Sequence, residues 1–292
     1  MMSFKNTPIP AAAAAAGMTN LVFSEDFETD TAIDFSGEGK PGYSFYADRP
    51  YAMPTLTPEE CQMRDSVLYF CPEKCGSAIG LVSYSKKGRV GYTMRYGYAE
   101  ARLRADLPTG EFNGVPAFWT MEKKDMMGEP WERCGEIDIV ELVVPKGRPN
   151  DQQIYTGTLH EHYRTGERNE KGRYKTVYAS NWVNNCGYLD QFTYIDDQWH
   201  TYAVLWEPGY VAWYLDNKLM HSARYNATDL PQYYYRDETE PLPRIEETTH
   251  PELAHTTWPG AHHIMEQSDE ILVLGCNKNW PMEVDWVRVW QK

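Results

Sequence analysis

From Leu21 onward, apolar and polar positions alternate in short runs rich in Val, Ile, Tyr, Trp and Thr, with turn residues between them. Side chains on a strand alternate between faces, so such runs predict strands. They are Leu21–Phe27, Ala78–Ser85, Tyr92–Ala105, Gly114–Met121, Gly135–Val144, Ile154–Tyr163, His200–Trp206, Val211–Leu215, Ile271–Cys276 and Glu283–Trp290. In Tyr98–Ala105, Tyr98, Glu100, Arg102 and Arg104 take one face, while Ala99, Ala101, Leu103 and Ala105 take the other. That pattern predicts a sheet with one packed and one wet face. Pro208-Gly209 and Asp216-Asn217 supply turns between neighbouring runs. No helix-period segment exceeds about two turns, and no fixed-period repeat is present. The expected fold is all-β, a two-sheet antiparallel β-sandwich.

Two segments break the pattern. Residues 226–268 hold a Tyr233-Tyr234-Tyr235 triplet, many acids and four of the eight histidines, and the strands resume at Ile271. A stretch of that length without strands reads as a loop insertion within one domain, spanning 20–292. Residues 1–19 carry six alanines, Ala11 to Ala16, behind Pro8 and Pro10. The central region is too short and weakly apolar for a convincing secretory signal, so it reads as a linker, a remnant or a weak targeting segment.

Composition narrows the function. The formal net charge is −14, which disfavours general binding to nucleic acid, since Lys and Arg supply most of that affinity. Aromatic residues make up 14% of the chain, including 21 Tyr and 10 Trp. Rings without a basic excess suit a neutral polyhydroxylated ligand better than a single-stranded nucleic acid. No apolar run is long enough to suggest a membrane span. Six cysteines are compatible with secretion; Cys71 and Cys75 are spaced to close a small loop, while Cys61, Cys134, Cys186 and Cys276 suit disulfides or buried thiols equally.

The outstanding segment is Cys134-Gly-Glu136-Ile-Asp138-Ile-Val-Glu141-Leu-Val-Val144. On a strand, Glu136 and Asp138 share a face, and Ile137 and Ile139 take the other. Simple alternation next brings up apolar Val140. A β-bulge at Ile139-Val140 restores the phase and puts Glu141 beside Asp138. Three carboxylates then crowd one face with no basic partner in the run. Like charges so placed destabilise a sheet and push carboxyl pKa values upward. Retaining glycosidases use such a pair, an ionised nucleophile and a protonated acid about 5–5.5 Å apart. The structural alternative is a solvated acidic face on an edge strand.

Glu136-Ile-Asp-Ile-Val-Glu141 resembles the bulged Glu-x-Asp-x-x-Glu signature of glycoside hydrolase family 16, which includes laminarinases, agarases, carrageenases and porphyranases. Tyr96–Arg102, Pro116–Trp119, Trp199–Val204, Val211–Asp216, Asn279–Pro281 and Val284–Val289 also resemble blocks of that family, in family order. The chain departs from the family at 226–268 and at the cysteine-bearing 43–76 region. The resemblance implies a jelly roll with a concave substrate cleft, and a retaining endo-β-glycanase that needs no cofactor for catalysis. It implies Glu136 as nucleophile, Glu141 as general acid/base and Asp138 as the carboxylate between them. It also implies a structural calcium held by the carbonyl of Glu25 and by Asp285, oxygen donors of the kind calcium takes.

Trp119, Trp131, Trp182 and Trp258 are candidate sugar platforms, whereas Trp213, Trp286 and Trp290, in alternating strands, read as core. His160-Glu-His162 places two imidazoles on one strand face, a pattern shared with half of a cupin metal motif, but no second half is spaced to match. His160 is therefore expected to face substrate. Residues 146–175 hold seven basic against four acidic side chains, Arg164 and Arg168 among them, in a chain that is otherwise strongly acidic. Forked guanidinium groups bind sulfate well, yet the global charge repels a polysulfated chain. A neutral β-1,3-glucan is expected over a marine galactan (agar, porphyran or carrageenan). A non-catalytic carbohydrate-binding protein on the same fold is the alternative of another class. The expected setting is extracellular or periplasmic, as a monomer, with no membrane or nucleic-acid partner.

Overall fold

The strand-forming runs pair into two nine-stranded sheets packed face to face. In the computed structural model, the described residues are 8–48, 55–70, 79–105, 116–129, 133–143, 153–168, 170, 174–181, 194–225, 257–258, 269–276 and 281–292. The first sheet runs in the order Thr257–Trp258, Lys218–Tyr225, Tyr210–Leu215, His200–Glu207, Gly97–Ala105, Met282–Gln291, Val67–Phe70 and Cys61–Arg64, with Asn20–Glu25 also paired to Met282–Gln291. The second runs Tyr174–Asn181, Gln153–Arg168, Arg133–Val143, Ala117–Glu122, Glu270–Cys276, Ile79–Val82, Phe45–Tyr46 and Ile33–Asp34, with Tyr194–Ile195 paired to Gln153–Arg168. Neighbouring strands are antiparallel except at two short two-residue pairings. Of the 226–268 insertion, the described residues are Thr257–Trp258, which pair parallel to Arg224 and Tyr225.

Turn chemistry follows the residues. Asp216 and Asn217 both take positive φ, 48° and 63°, between the paired Leu215 and Lys218. Asp and Asn tolerate that left-handed region, and this turn matches the strand twist.

The main core lies between the sheets. Ala99, Ala101, Leu103, Val204, Trp206, Trp213, Val287 and Val289 from the first sheet meet Phe118, Ile137, Ile139, Val140, Leu142, Leu159 and Leu272 from the second. Three expectations change here. The outer face of Gly97–Ala105 is not uniformly wet: Tyr98 and Glu100 are buried there. Residues 11–15, read from sequence as a linker, form a short helix, with Ala13 buried in a cluster that includes Tyr98, Leu205, Ala212 and Trp290. Side chains this small let a helix lie flat on an aromatic surface. Trp286 also departs from the expected core position: it is half-buried, with the Arg288 guanidinium carbon 4.9 Å from its ring centroid. Trp213 and Trp290 are buried as expected.

Candidate active site

Arg133–Val143 is an inner strand of the second sheet, between Ala117–Glu122 and Gln153–Arg168. Its ladder carries the bulge that the acid spacing predicts. Against the first neighbour, Phe118 pairs with Val140 but Trp119 already pairs with Asp138. Against the second, Asp138 pairs with Thr158 and Glu141 with Thr156. The added residue resets the alternation, so Glu136, Asp138 and Glu141 share the face opposite the core while Ile137, Ile139 and Val140 are all fully buried. The edge-strand alternative fails with this placement, because the acids sit on a strand paired on both sides.

Side chains hold the bulge. Trp213, from the opposite sheet, donates its indole Nε1–H to the carbonyl of Asp138 at 2.8 Å. The Tyr155 hydroxyl donates to the carbonyl of Ile139 at 3.3 Å, and the Thr156 hydroxyl to that of Glu141 at 3.2 Å. Buried carbonyls displaced from a regular ladder need such partners. Gly157 makes room for the first of these bonds: a Cβ there would lie 2.5 Å from Trp213 Cδ1. An isolated glycine in a strand is a sequence signal of close approach, and Gly157, between Thr156 and Thr158, carried it.

The sheet face on one side of the acids is walled by apolar groups. Trp119 and Met121, register partners of Asp138 and Glu136, join Tyr46, Val82, Tyr84, Met126, Ile271 and Val273 in one cluster. Trp119 stays half-buried beside Asp138, its register partner. His160 is the register partner of Glu136 on the next strand, and Arg164 lies further along that strand opposite Thr176. Trp258 lies on the two-residue strand at the edge of the other sheet, opposite Tyr225. Trp131 and Trp182 lie outside the described residues, as do Cys71, Cys75 and Cys186. Cys134 is a free buried thiol whose pKa is pushed up by burial and by the carboxylates of Glu122, Asp125 and Glu270.

The residues expected to hold calcium are each in contact with a guanidinium group. The Glu25 carbonyl accepts from Arg288 Nη1 at 3.2 Å, and the Asp285 carboxylate pairs with Arg102 Nη1 at 2.5 Å. Among the described residues, no three His, Cys, Asp or Glu side chains are grouped as a metal site.

Residues 82–265 match the model of "Glycosyl hydrolases family 16". A Glucan endo-1,3-beta-glucosidase A1 of Niallia circulans is 28% identical over 130 residues, covering 42% of this chain and 15% of its own length. A Keratan-sulfate endo-1,4-beta-galactosidase of Sphingobacterium multivorum is 24% identical over 308 aligned residues, covering 97% of this chain and 61% of its own. The chain therefore spans less than two thirds of the length of these relatives. The catalytic domain of an endo-1,3-beta-glucanase (laminarinase) from Thermotoga petrophila RKU-1 superimposes with a TM-score of 0.47 at 18% identity, covering 94% of this chain and 98% of that one.

Proposed function

We propose a substrate and a division of labour for this chain, which belongs to glycosyl hydrolases family 16. It is an endo-acting, retaining β-glycanase that cleaves internal linkages of a β-1,3-glucan. The observation that carries the reading is the bulge that brings Glu136, Asp138 and Glu141 to one face of an inner strand. A pure binding module has no use for three crowded carboxylates, which weaken the sheet that carries them.

Glu136, ionised, attacks the anomeric carbon while Glu141 gives its proton to the departing glycosidic oxygen, so the C–O bond breaks as the glycosyl–enzyme ester forms. Glu141, now a carboxylate, takes a proton from the water that displaces Glu136, and the configuration is retained. Asp138, between them, raises the proton affinity of Glu141 by its charge and orients Glu136. In this reading Trp119, the register partner of Asp138, supplies a stacking face for a sugar ring, and His160, the register partner of Glu136, is the substrate-facing histidine.

A panel of laminarin, mixed-linkage glucan, agarose, porphyran and carrageenans tests the substrate. Turnover of laminarin with retained configuration in early proton NMR is expected; inverted product ends the mechanism. A second reading, a sulfated β-galactan, is favoured by the keratan-sulfate relative aligned over 97% of this chain and by the basic 146–175 segment. With a neutral glucan, KM changes little up to half-molar salt and Arg164→Ala is mild. A KM that climbs steeply with salt decides for the sulfated substrate, because exposed charge pairs are screened over about 8–10 Å.

A further inference from the structure

Behind the acids, on the core side of the second sheet, lies a group of buried polar side chains that the mechanism above does not use. Thr120, Glu122 and Glu270 are each fully buried. Glu122 and Glu270 are register partners across adjacent strands. The Glu122 carboxylate accepts from the backbone N–H of Gly135 at 2.8 Å and pairs with Lys124 Nζ at 2.8 Å. The Thr120 hydroxyl accepts from the backbone N–H of Ile137 at 3.2 Å. Gly135 and Ile137 are the residues on either side of Glu136.

An apolar sheet needs none of these groups. Burying a carboxylate is costly unless it is paired and hydrogen-bonded, and two opposed acids repel. Leu272 and Leu274, on the same strand and face as Glu270, show what packing alone calls for at such positions. The position of this expense, at the backbone flanking Glu136, points to the backbone's placement as its purpose.

We propose that Glu122 and Thr120 are positioning residues for Glu136, gripping the amides on both sides of it, with Glu270 the third member of the buried group. The proposal rests on Glu136 acting as nucleophile. Side-chain acceptors on amides 135 and 137 limit sliding and twisting of the strand exactly where the intervening side chain must meet the anomeric carbon, and small misplacements there cost rate steeply. Glu270 sits where its charged form is disfavoured. Burial pushes its carboxyl well above the usual range, and the charges of Glu122 and Glu136 add to this, while Thr120 and Lys124 act against it. Lys124, 2.8 Å from the Glu122 carboxylate, is the basic partner of the group.

The test uses the full chain with Glu122→Leu, Glu122→Gln and Thr120→Val, read by hydrogen exchange at residues 133–143 and by kcat and KM on laminarin. In Glu122→Leu, exchange at Gly135 should rise at least about tenfold as its acceptor is lost. Its kcat should fall about 10- to 100-fold with KM within about twofold. Glu122→Gln keeps an oxygen acceptor and should recover most of both losses. Thr120→Val, nearly isosteric, should act in the same way at Ile137 with a smaller drop in kcat. Unchanged exchange and kcat in Glu122→Leu overturns the proposal; so does a Gln variant no better than the Leu variant, which is the mark of a merely structural role. Should Glu122→Leu fail to fold, Thr120→Val decides by the same two readouts. Failure of the underlying reading shows separately, as substantial turnover in Glu136→Gln, and the exchange measurement does not depend on turnover.

Discussion

Each sheet buries charge, and the two do it in opposite ways. On the outer face of the first sheet, Arg288 is fully buried and pairs with Asp26, and Glu100 is its register partner on the adjacent strand. Burial raises the Glu100 carboxyl to about 8, with the Arg288 charge pulling against it. In the second sheet the neighbours of a buried acid are mostly other acids: Glu270 faces Glu122 and feels Glu136, and burial and both charges push its carboxyl up. Opposite charges brought together inside a protein hold a structure, because removing one strands the other. Like charges brought together oppose folding, and a protein retains them where chemistry requires acids of unequal proton affinity. The contrast marks the second sheet as the working surface and the first as its support.

The largest effect that can break this contrast is chemical. Glu136→Gln should leave less than about a hundredth of wild-type turnover while Tm holds or rises, since a repelling charge is gone. Unfolding with the loss of activity would erase the distinction between the two sheets. Next is Arg288→Met, which strands Asp26 and should cost about 3–5 kcal/mol in denaturant unfolding. A neutral result there would mean that the first sheet's pairing supports nothing.

Gly157→Ala is intermediate. The added methyl must displace Trp213, whose Cδ1 would lie 2.5 Å away, at a cost of about 1–3 kcal/mol. It should also lower kcat more than it raises KM, because the Asp138 carbonyl loses its indole donor.

The smallest effect is the pH dependence that sharpens the comparison. A carboxyl whose folded pKa lies above its unfolded value contributes most stability below the unfolded pKa, about 4.5, and that contribution is lost as pH rises through the folded one. For Glu100 the loss runs from about 4.5 to about 8; for Glu270 it has the same sign, because its carboxyl is also raised. Glu270→Gln should therefore stabilise the fold by about 1 kcal/mol or more at pH 8 and little at pH 4. The charged and titratable groups around it are Glu122, Glu136, Lys124 and Cys134. A curve parallel to wild type from pH 4 to 8 would show that Glu270 is not held neutral.

The bulge at Ile139-Val140 was legible in the sequence and the one at Asp285 was not. Both add a residue and flip the alternation that follows. In Glu136–Glu141, the acids reveal the flip, because only one phase keeps all three out of the core. In Met282–Gln291, either phase offers both apolar and charged residues to the core, so the shift between Val284 and Trp286 leaves no trace in composition. Val284 and Val287 face the core, and Trp286 is turned outward under Arg288. The same limit hid strands such as Lys218–Tyr225, whose polar face looks like a loop until a neighbour pairs with it.

By itself, the sequence determined the fold class, the acidic strand and its bulge. These follow from period-two alternation and from the energy of burying or exposing individual side chains, both local properties. Tertiary structure alone decided which groups hold the site in place. Trp213 reaches Asp138 from the opposite sheet, Glu270 meets Glu122 from a strand far along the chain, and Arg102 and Arg288 reach Asp285 and the Glu25 carbonyl. Each such contact depends on strand order and register. These are set by the packing of the whole sandwich, and no local run of residues encodes them.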